Sequence, residues 1–333
     1  MKKKIFAILF VFITSFLFAQ DCNFENAKEL FLENENDYNQ LSEILETDSY
    51  FYGLFQCFSY ADGEKNEYYF LYEINKAYKK SVQYDFVFKN TLYRGSLNNY
   101  CKKIKDFDFV VADFTFDEQE DILRLVYTSD LGDNAFEINH KGKKYFKLVS
   151  PQLSSNNNFN IKLNIDGLYK SLNDLNFCII NGKRGVKIHI YGRLNYLSND
   201  NTYLTDLKKD ASSNYFFFYW SPSSQCYILD ETVTQEQLKK AYCPEDYFAY
   251  NGLKFSKLDS KLTAEDLRDL DKAQLRLMRN AVYARYGRTF KSVDLQSLWE
   301  CYTWYKKNPN YNDSLLTDID KYNIELIQKY ESK

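Results

Sequence analysis

Between Tyr50 and about Glu231 the hydrophobic positions fall in short strand-like runs rich in aromatic and β-branched residues. The runs include "FYGLFQCFSY", "EYYFLYEI", "YDFVFKN", "FDFVVADF", "ILRLVYTS", "KYFKLVS", "FNIKLNI", "FCII", "VKIHIYG" and "YFFFYW". Turn-forming clusters such as "ADGEKN", "DLGDN", "SSNNN" and "NGKRG" separate them. Short strands at this spacing, with few helical intervals, predict a mostly antiparallel β domain of sandwich or barrel type. Ahead of them Tyr38, Leu41, Ile44 and Leu45 keep helical spacing and predict a short helix.

Past Glu231 the period changes from two to 3.6. Thr234 with Gln237 forms a capping box that starts a short helix running toward Cys243 and stopped by Pro244. Thr263 with Asp266, flanked by Leu262 and Leu267, starts another; Asp271 with Gln274, flanked by Leu270 and Leu275, starts a longer one from Lys272 to Tyr286. Gly287 follows as the residue able to take the left-handed conformation that ends a helix. Ser292 caps a third helix carrying Leu295, Leu298, Trp299 and Tyr302, and Thr317 caps a last one whose Ile319, Tyr322, Leu326, Ile327 and Tyr330 share a face. The fold class is therefore α+β, an N-terminal mostly antiparallel β domain followed by a small all-α C-terminal domain. Its divisions are a signal peptide at 1–19, a helical or irregular segment at 20–48, the β-rich domain at 49–231, a short helix and linker at 232–260, and the helical domain at 261–333.

The first residues change the picture from any domain to an exported one. Lys2, Lys3 and Lys4 precede an apolar run from Ile5 to Ala19, which is short of the roughly 20 residues that span a bilayer and has the layout of a secretory signal cleaved after Ala19. Asp21 directly before Cys22 disfavours a lipid anchor there. The mature chain is expected without a transmembrane segment, in the periplasm, at the cell surface or in the medium. A net charge of -3 removes the long-range pull toward nucleic acid. Seven cysteines without a CxxC spacing, and only His140 and His189 for imidazole, provide poorly for zinc or for Ser–His and Cys–His catalysis. Serine-hydrolase elbow, phosphate loop and HExxH motifs are all missing from the sequence.

In the tail, "LRLMRNAVYARYGRTFKS", "LWECYTWYKKNPNY" and "LLTDIDKYNIELIQKYE" resemble the YARHG domain, a C-terminal module of exported bacterial proteins. The resemblance runs from about Leu262 to Glu331 and rests on Arg279-Asn280, Tyr283-Ala284-Arg285, Gly287, Phe290, Trp304-Tyr305 and Asn323-Ile324. Tyr286 stands where the family has its histidine, so a role needing an imidazole there is not available. On a helical wheel Leu275, Met278, Val282 and Tyr286 make the apolar stripe, with Arg279 and Arg285 beside it. A guanidinium in that place needs its donors filled. One reading fills them internally, with Asp320 or Glu325 as partners; the other has Arg279, Tyr283, Arg285, Trp304 and Tyr305 bind an external carboxylate or sugar, as in peptidoglycan, a glycan or another envelope protein.

Asp113, Thr115, Asp117 and Asp121 stand at positions 1, 3, 5 and 9 between two strands, a spacing that resembles the calcium loops of FG-GAP repeats. Glu118 occupies the usual glycine position, and an ordinary acidic β-turn competes with a Ca2+ site. Apart from that ion no cofactor is expected. The function expected is that of an exported, non-enzymatic binding protein. The alternatives are an envelope hydrolase working through paired carboxylates, drawn from Asp117, Glu120 and Asp121, and a structural periplasmic protein.

Overall fold

Alternation in the first strand-like runs closes into a sheet that carries a helix on one face. The computed structural model describes residues 23–36, 39–61, 64–77, 81–86, 101–104, 107–128, 133–139, 148–149, 176–193 and 210–333. The expected signal peptide, Cys22, His140 and the run "FNIKLNI" lie outside them. The chain divides into two compact units, Met1–Val87 and Phe88–Lys333.

In the first unit, α1 (Phe24–Leu32) precedes β1 (Asn39–Glu46), β2 (Tyr50–Ala61), β3 (Glu64–Asn75) and β4 (Ser81–Phe86). The strands form an antiparallel meander in the order β1-β2-β3-β4. Asn23 caps α1 by accepting the Asn26 N–H at 2.9 Å, and Ala27 and Phe31 bury against Phe51, Phe55, Tyr72 and Ile74. A Cβ on Gly53 would stand 3.0 Å from the Phe31 ring, so the glycine lets the helix lie close. The expected helix over Tyr38–Leu45 is instead β1. A bulge between Leu41 and Glu43 adds one residue, so Leu41 and Ile44, three apart, return to the same face and pack on the same core. Two plus one imitates helical spacing.

The second unit contains β5 (Cys101–Ile104), β6 (Phe107–Ala112), β7 (Asp121–Thr128), β8 (Asp133–Asn139), β9 (Leu148–Val149), β10 (Asn176–Ile180), β11 (Lys183–Arg193), β12 (Asp210–Ser221) and β13 (Cys226–Leu229). Helices follow: α2 (Gln235–Lys239), α3 (Ala264–Arg268), α4 (Lys272–Ala284), α5 (Val293–Trp299) and α6 (Asp318–Glu331). β5 to β8 form an antiparallel sheet in sequence order, and the second sheet runs β10-β11-β12-β13-β9, antiparallel except for the β13 and β9 pair. Asn181 and Gly182, both at positive φ, turn β10 into β11, as an Asn-Gly pair does in a two-residue hairpin.

Period-two alternation gives the second sheet two buried faces. Phe177, Ile179, Phe216, Phe218 and Trp220 point into a core shared with Leu275, Met278, Val282, Leu298, Trp299 and Ile327 of the helices. Cys178, Ile180 and Phe217 point the other way, onto Val233 and Leu238 around α2. Between sheet and helices, Tyr247, Phe248, Tyr250, Leu253, Phe255 and Leu258 join the first of these cores. Arg184 of β11 is buried there, donating to Tyr247 O at 2.8 Å, Asp294 O at 3.1 Å and Ser297 Oγ at 3.3 Å, with its guanidinium over the Tyr247 ring.

The capping boxes expected at Thr234, Thr263 and Asp271 are all formed, and Thr317 forms another with Asp320. Ser292 precedes α5 without capping it, its hydroxyl donating instead to Asp294. The buried face of α6 is Asp320, Asn323, Ile324 and Ile327, whereas Ile319 and Tyr322 of the expected face are exposed. Polar side chains turn inward because each has partners. Asn323 Oδ1 accepts the Leu262 N–H at 2.8 Å, and its Nδ2 donates to Ser260 O at 2.9 Å. Among the described residues no helix is long and apolar enough to cross a membrane.

Candidate functional site

The end of α4 sets the geometry of the arginine-rich segment. Gly287 takes φ +79°, its N–H donating to Ala284 O at 2.9 Å, while the Arg288 N–H donates to Tyr283 O at 3.3 Å. These two bonds make a Schellman motif, in which the residue after the glycine faces the one five positions earlier. Arg288 thus lies over the Tyr283 ring, 4.8 Å from its centroid. The missing Cβ of Gly287 has a second consequence, since it would stand 2.3 Å from Lys306 O and 2.7 Å from Asn308. The Asn308 N–H instead donates to Gly287 O at 2.8 Å, and the following loop closes over Arg288.

The result is an open pocket of about 450 Å³ lined by Arg288, Thr289, Asn308, Pro309, Tyr311, Asn312 and Asp313. Phe290 and Tyr311 complete an aromatic surround, 5.9 and 5.8 Å from the guanidinium. Tyr311 donates to Asp313 Oδ1 at 2.8 Å, and burial together with that bond raises the phenol well above its ordinary range. Among the described residues Arg288 forms no ion pair, so its donor fork is held by rings rather than consumed by a carboxylate.

The residues expected at this end of the molecule take other places. Arg279 is held by Glu331 in a two-pronged pair, Nε at 2.6 Å and Nη2 at 3.2 Å. Arg285 pairs with Asp259 on the short 3₁₀ turn Phe255–Asp259 and lies at the rim of the core, not inside it. Among the described residues no arginine pairs with Asp320 or Glu325. Asp320 completes the capping box of α6 with Thr317 and accepts the Tyr286 hydroxyl at 2.5 Å, so the tyrosine in the family's histidine position acts as a hydrogen-bond donor between α4 and α6. Tyr305 is buried, donating to Arg288 O at 2.9 Å, and Trp304 stays partly exposed against Phe255, Trp299 and Tyr302. Of the expected set, Tyr283 lies under the guanidinium of the pocket's arginine and Tyr305 holds that arginine's carbonyl. Arg288 itself was legible as the third arginine of "RNAVYARYGRTF", and its place directly after the helix-ending glycine was the signal for it.

The acidic loop between β6 and β7 folds onto its own backbone. Asp113 accepts the N–H groups of Asp117 at 3.2 Å and Glu118 at 2.9 Å. Asp121 Oδ2 accepts those of Phe114 at 2.7 Å and Thr115 at 3.0 Å, and the Thr115 hydroxyl at 3.0 Å. Glu118 adopts φ 64°, the left-handed turn expected of a glycine there. Tyr250 and Tyr227 donate to the carbonyls of Asp113 and Phe114 at 2.8 and 2.9 Å, fastening the loop to the core. Burial, then the negative Asp121 and Asp117, push the Asp113 carboxyl well above the usual range. Among the described residues no group of three His, Cys, Asp or Glu is arranged to hold a metal ion. The alternating carboxylates serve a tight turn in this geometry.

The family model for the YARHG domain matches residues 253–332, which takes in Asp259 and the turn that meets Arg285. A module of this kind suggests an exported bacterial protein. Nothing among curated proteins or solved structures matches the chain.

Proposed function

With a YARHG domain over residues 253–332 as the premise, we propose that this is an exported, non-enzymatic binding protein of the bacterial envelope whose helical module takes up a carboxylate-bearing ligand at Arg288. The observation that carries the reading is the pocket in which Arg288, set against the Tyr283, Phe290 and Tyr311 rings, makes no ion pair among the described residues, while Arg279 and Arg285 pair with Glu331 and Asp259. A planar fork matches a carboxylate in two-pronged fashion. Asp313, which also lines the pocket, suits a ligand ammonium, so a peptide bearing both groups, as cell-wall stem peptides do, fits the charges. The reading calls on no cofactor.

Sedimentation with purified peptidoglycan tests it. The full chain without its first 19 residues is expected to pellet with the polymer, and Arg288→Ala to weaken retention by about tenfold or more, the range of a lost charge-assisted pair. Thermal stability should fall by only a few degrees, since among the described residues Arg288 gives up partly exposed ring contacts and no ion pair. Release of soluble fragments would favour the hydrolase reading, and absence of both retention and breakdown a structural one.

A further inference from the structure

β10 is an outer strand of the five-stranded sheet, and the segment after α2 meets it. Ile179 donates its N–H to Tyr242 O at 2.9 Å in an antiparallel bridge. Antiparallel pairing puts the neighbours of bridged residues opposite each other, so Cys178 faces Cys243 in the adjacent, non-hydrogen-bonded position. Facing residues there approach to about 4.5 Å between Cα atoms, inside the roughly 4.4–6.8 Å that a disulfide spans. The two thiols lie close enough to perturb each other, raising Cys178 and lowering Cys243, while the Cys243 thiol itself donates to Ala241 O at 3.6 Å. Two of the other described cysteines direct their thiols elsewhere: Cys57 to Asn39 Oδ1 at 3.1 Å and Cys301 to Ser297 O at 3.2 Å.

We infer that Cys178 and Cys243 are joined by a disulfide that clasps the outer strand of the sheet to the connector leading into the helical module. Cys178 is fully buried and Cys243 half-buried, which assigns the order of events. The Cys243 thiolate attacks a small-molecule or protein disulfide, forming a mixed disulfide and expelling one donor thiolate. Cys178 then loses its proton and attacks the Cys243 sulfur, breaking that bond and expelling the second. Two protein thiols are oxidised and one donor disulfide is reduced to two thiols. The Cys178 thiol beside it, and then the charge of Lys187, whose Nζ donates to Leu238 O at 3.2 Å, bring the Cys243 thiol down to about 7. Partial ionisation at neutral pH makes Cys243 the competent nucleophile.

The test uses the purified full chain treated with glutathione disulfide, so that its outcome does not depend on export or on ligand binding. Free thiols are alkylated in denaturant, and the protein is digested without reduction for mass spectrometry. The expected result is a linked peptide pair containing Cys178 and Cys243, with a melting temperature roughly 5–10 °C above that of the reduced chain. In a variant carrying both Cys178→Ala and Cys243→Ala, oxidised and reduced samples should melt together. Recovery of both cysteines fully alkylated after oxidation, or of either linked to a different cysteine, overturns the assignment.

Discussion

At Gly287 a single absent methyl group answers two demands, a left-handed helix end and the close passage of the chain at Lys306 and Asn308. Gly287→Ala is expected to cost about 2–4 kcal/mol, the left-handed penalty plus a backbone overlap that cannot relax cheaply. Urea denaturation reads that loss, and ligand retention should fall with it because the pocket wall is displaced. Asp266 supplies a pH signature. The hydrogen bond from Lys257, then those from Thr263, lower its carboxyl from 3.8 to about 2. A carboxyl depressed by folding stabilises fully above its unfolded value and loses that contribution as pH falls through the folded one. Melting temperatures taken from about pH 5 down to pH 2 should therefore decline less steeply in Asp266→Asn, which keeps the capping acceptor but not the charge. Residue roles were partly legible. Caps at Thr263, Asp271 and Thr317 announce themselves because donor and acceptor are three positions apart. The partners of Arg279 and Arg285 do not, because Glu331 and Asp259 come from elements 52 and 26 residues away.

Among the elements, α6 shows where hydropathy misplaces a face. Apolar spacing favours Ile319 and Tyr322, yet the helix turns Asp320 and Asn323 inward because their hydrogen bonds fasten it to α4 and to the chain entering α3. Those bonds lie outside what a one-dimensional pattern can express. Asn323→Leu keeps the volume but leaves the Leu262 N–H buried without its acceptor and removes the donor to the Ser260 carbonyl. A loss of about 2–4 kcal/mol follows, measurable as a lower urea midpoint at unchanged slope. The bulge in β1 is the complementary error: one inserted residue gave a strand the spacing of a helix. The aromatic run "YFFFYW" and the alternating "VKIHIYG" became β12 and β11, since aromatic and β-branched residues bounded by turn signals leave few competing readings. Short strands such as β13, four residues long, carry too little pattern to stand out.

On the scale of the molecule, the five-stranded sheet and the helical module are held by one core and by Arg184, whose donors reach across to Tyr247, Asp294 and Ser297. Its buried charge is satisfied only when sheet and α5 are together. Arg184→Met is expected to lower stability by about 2–4 kcal/mol, the worth of hydrogen bonds from a charged group offset by a better-solvated unfolded side chain. Scanning calorimetry would register the loss in the transition that contains both sheet and helices, without splitting it. The α+β class was legible from the switch in period near residue 231, whereas the shared core was not, because periodicity says which face is buried and not what covers it. This sharing also imposes a schedule. As the chain emerges from the ribosome, β11 appears more than a hundred residues before the carbonyl of Asp294 that its arginine requires. The sheet therefore waits, one face uncovered, for the last quarter of the protein, a stretch of synthesis in which premature association with other chains would be most damaging.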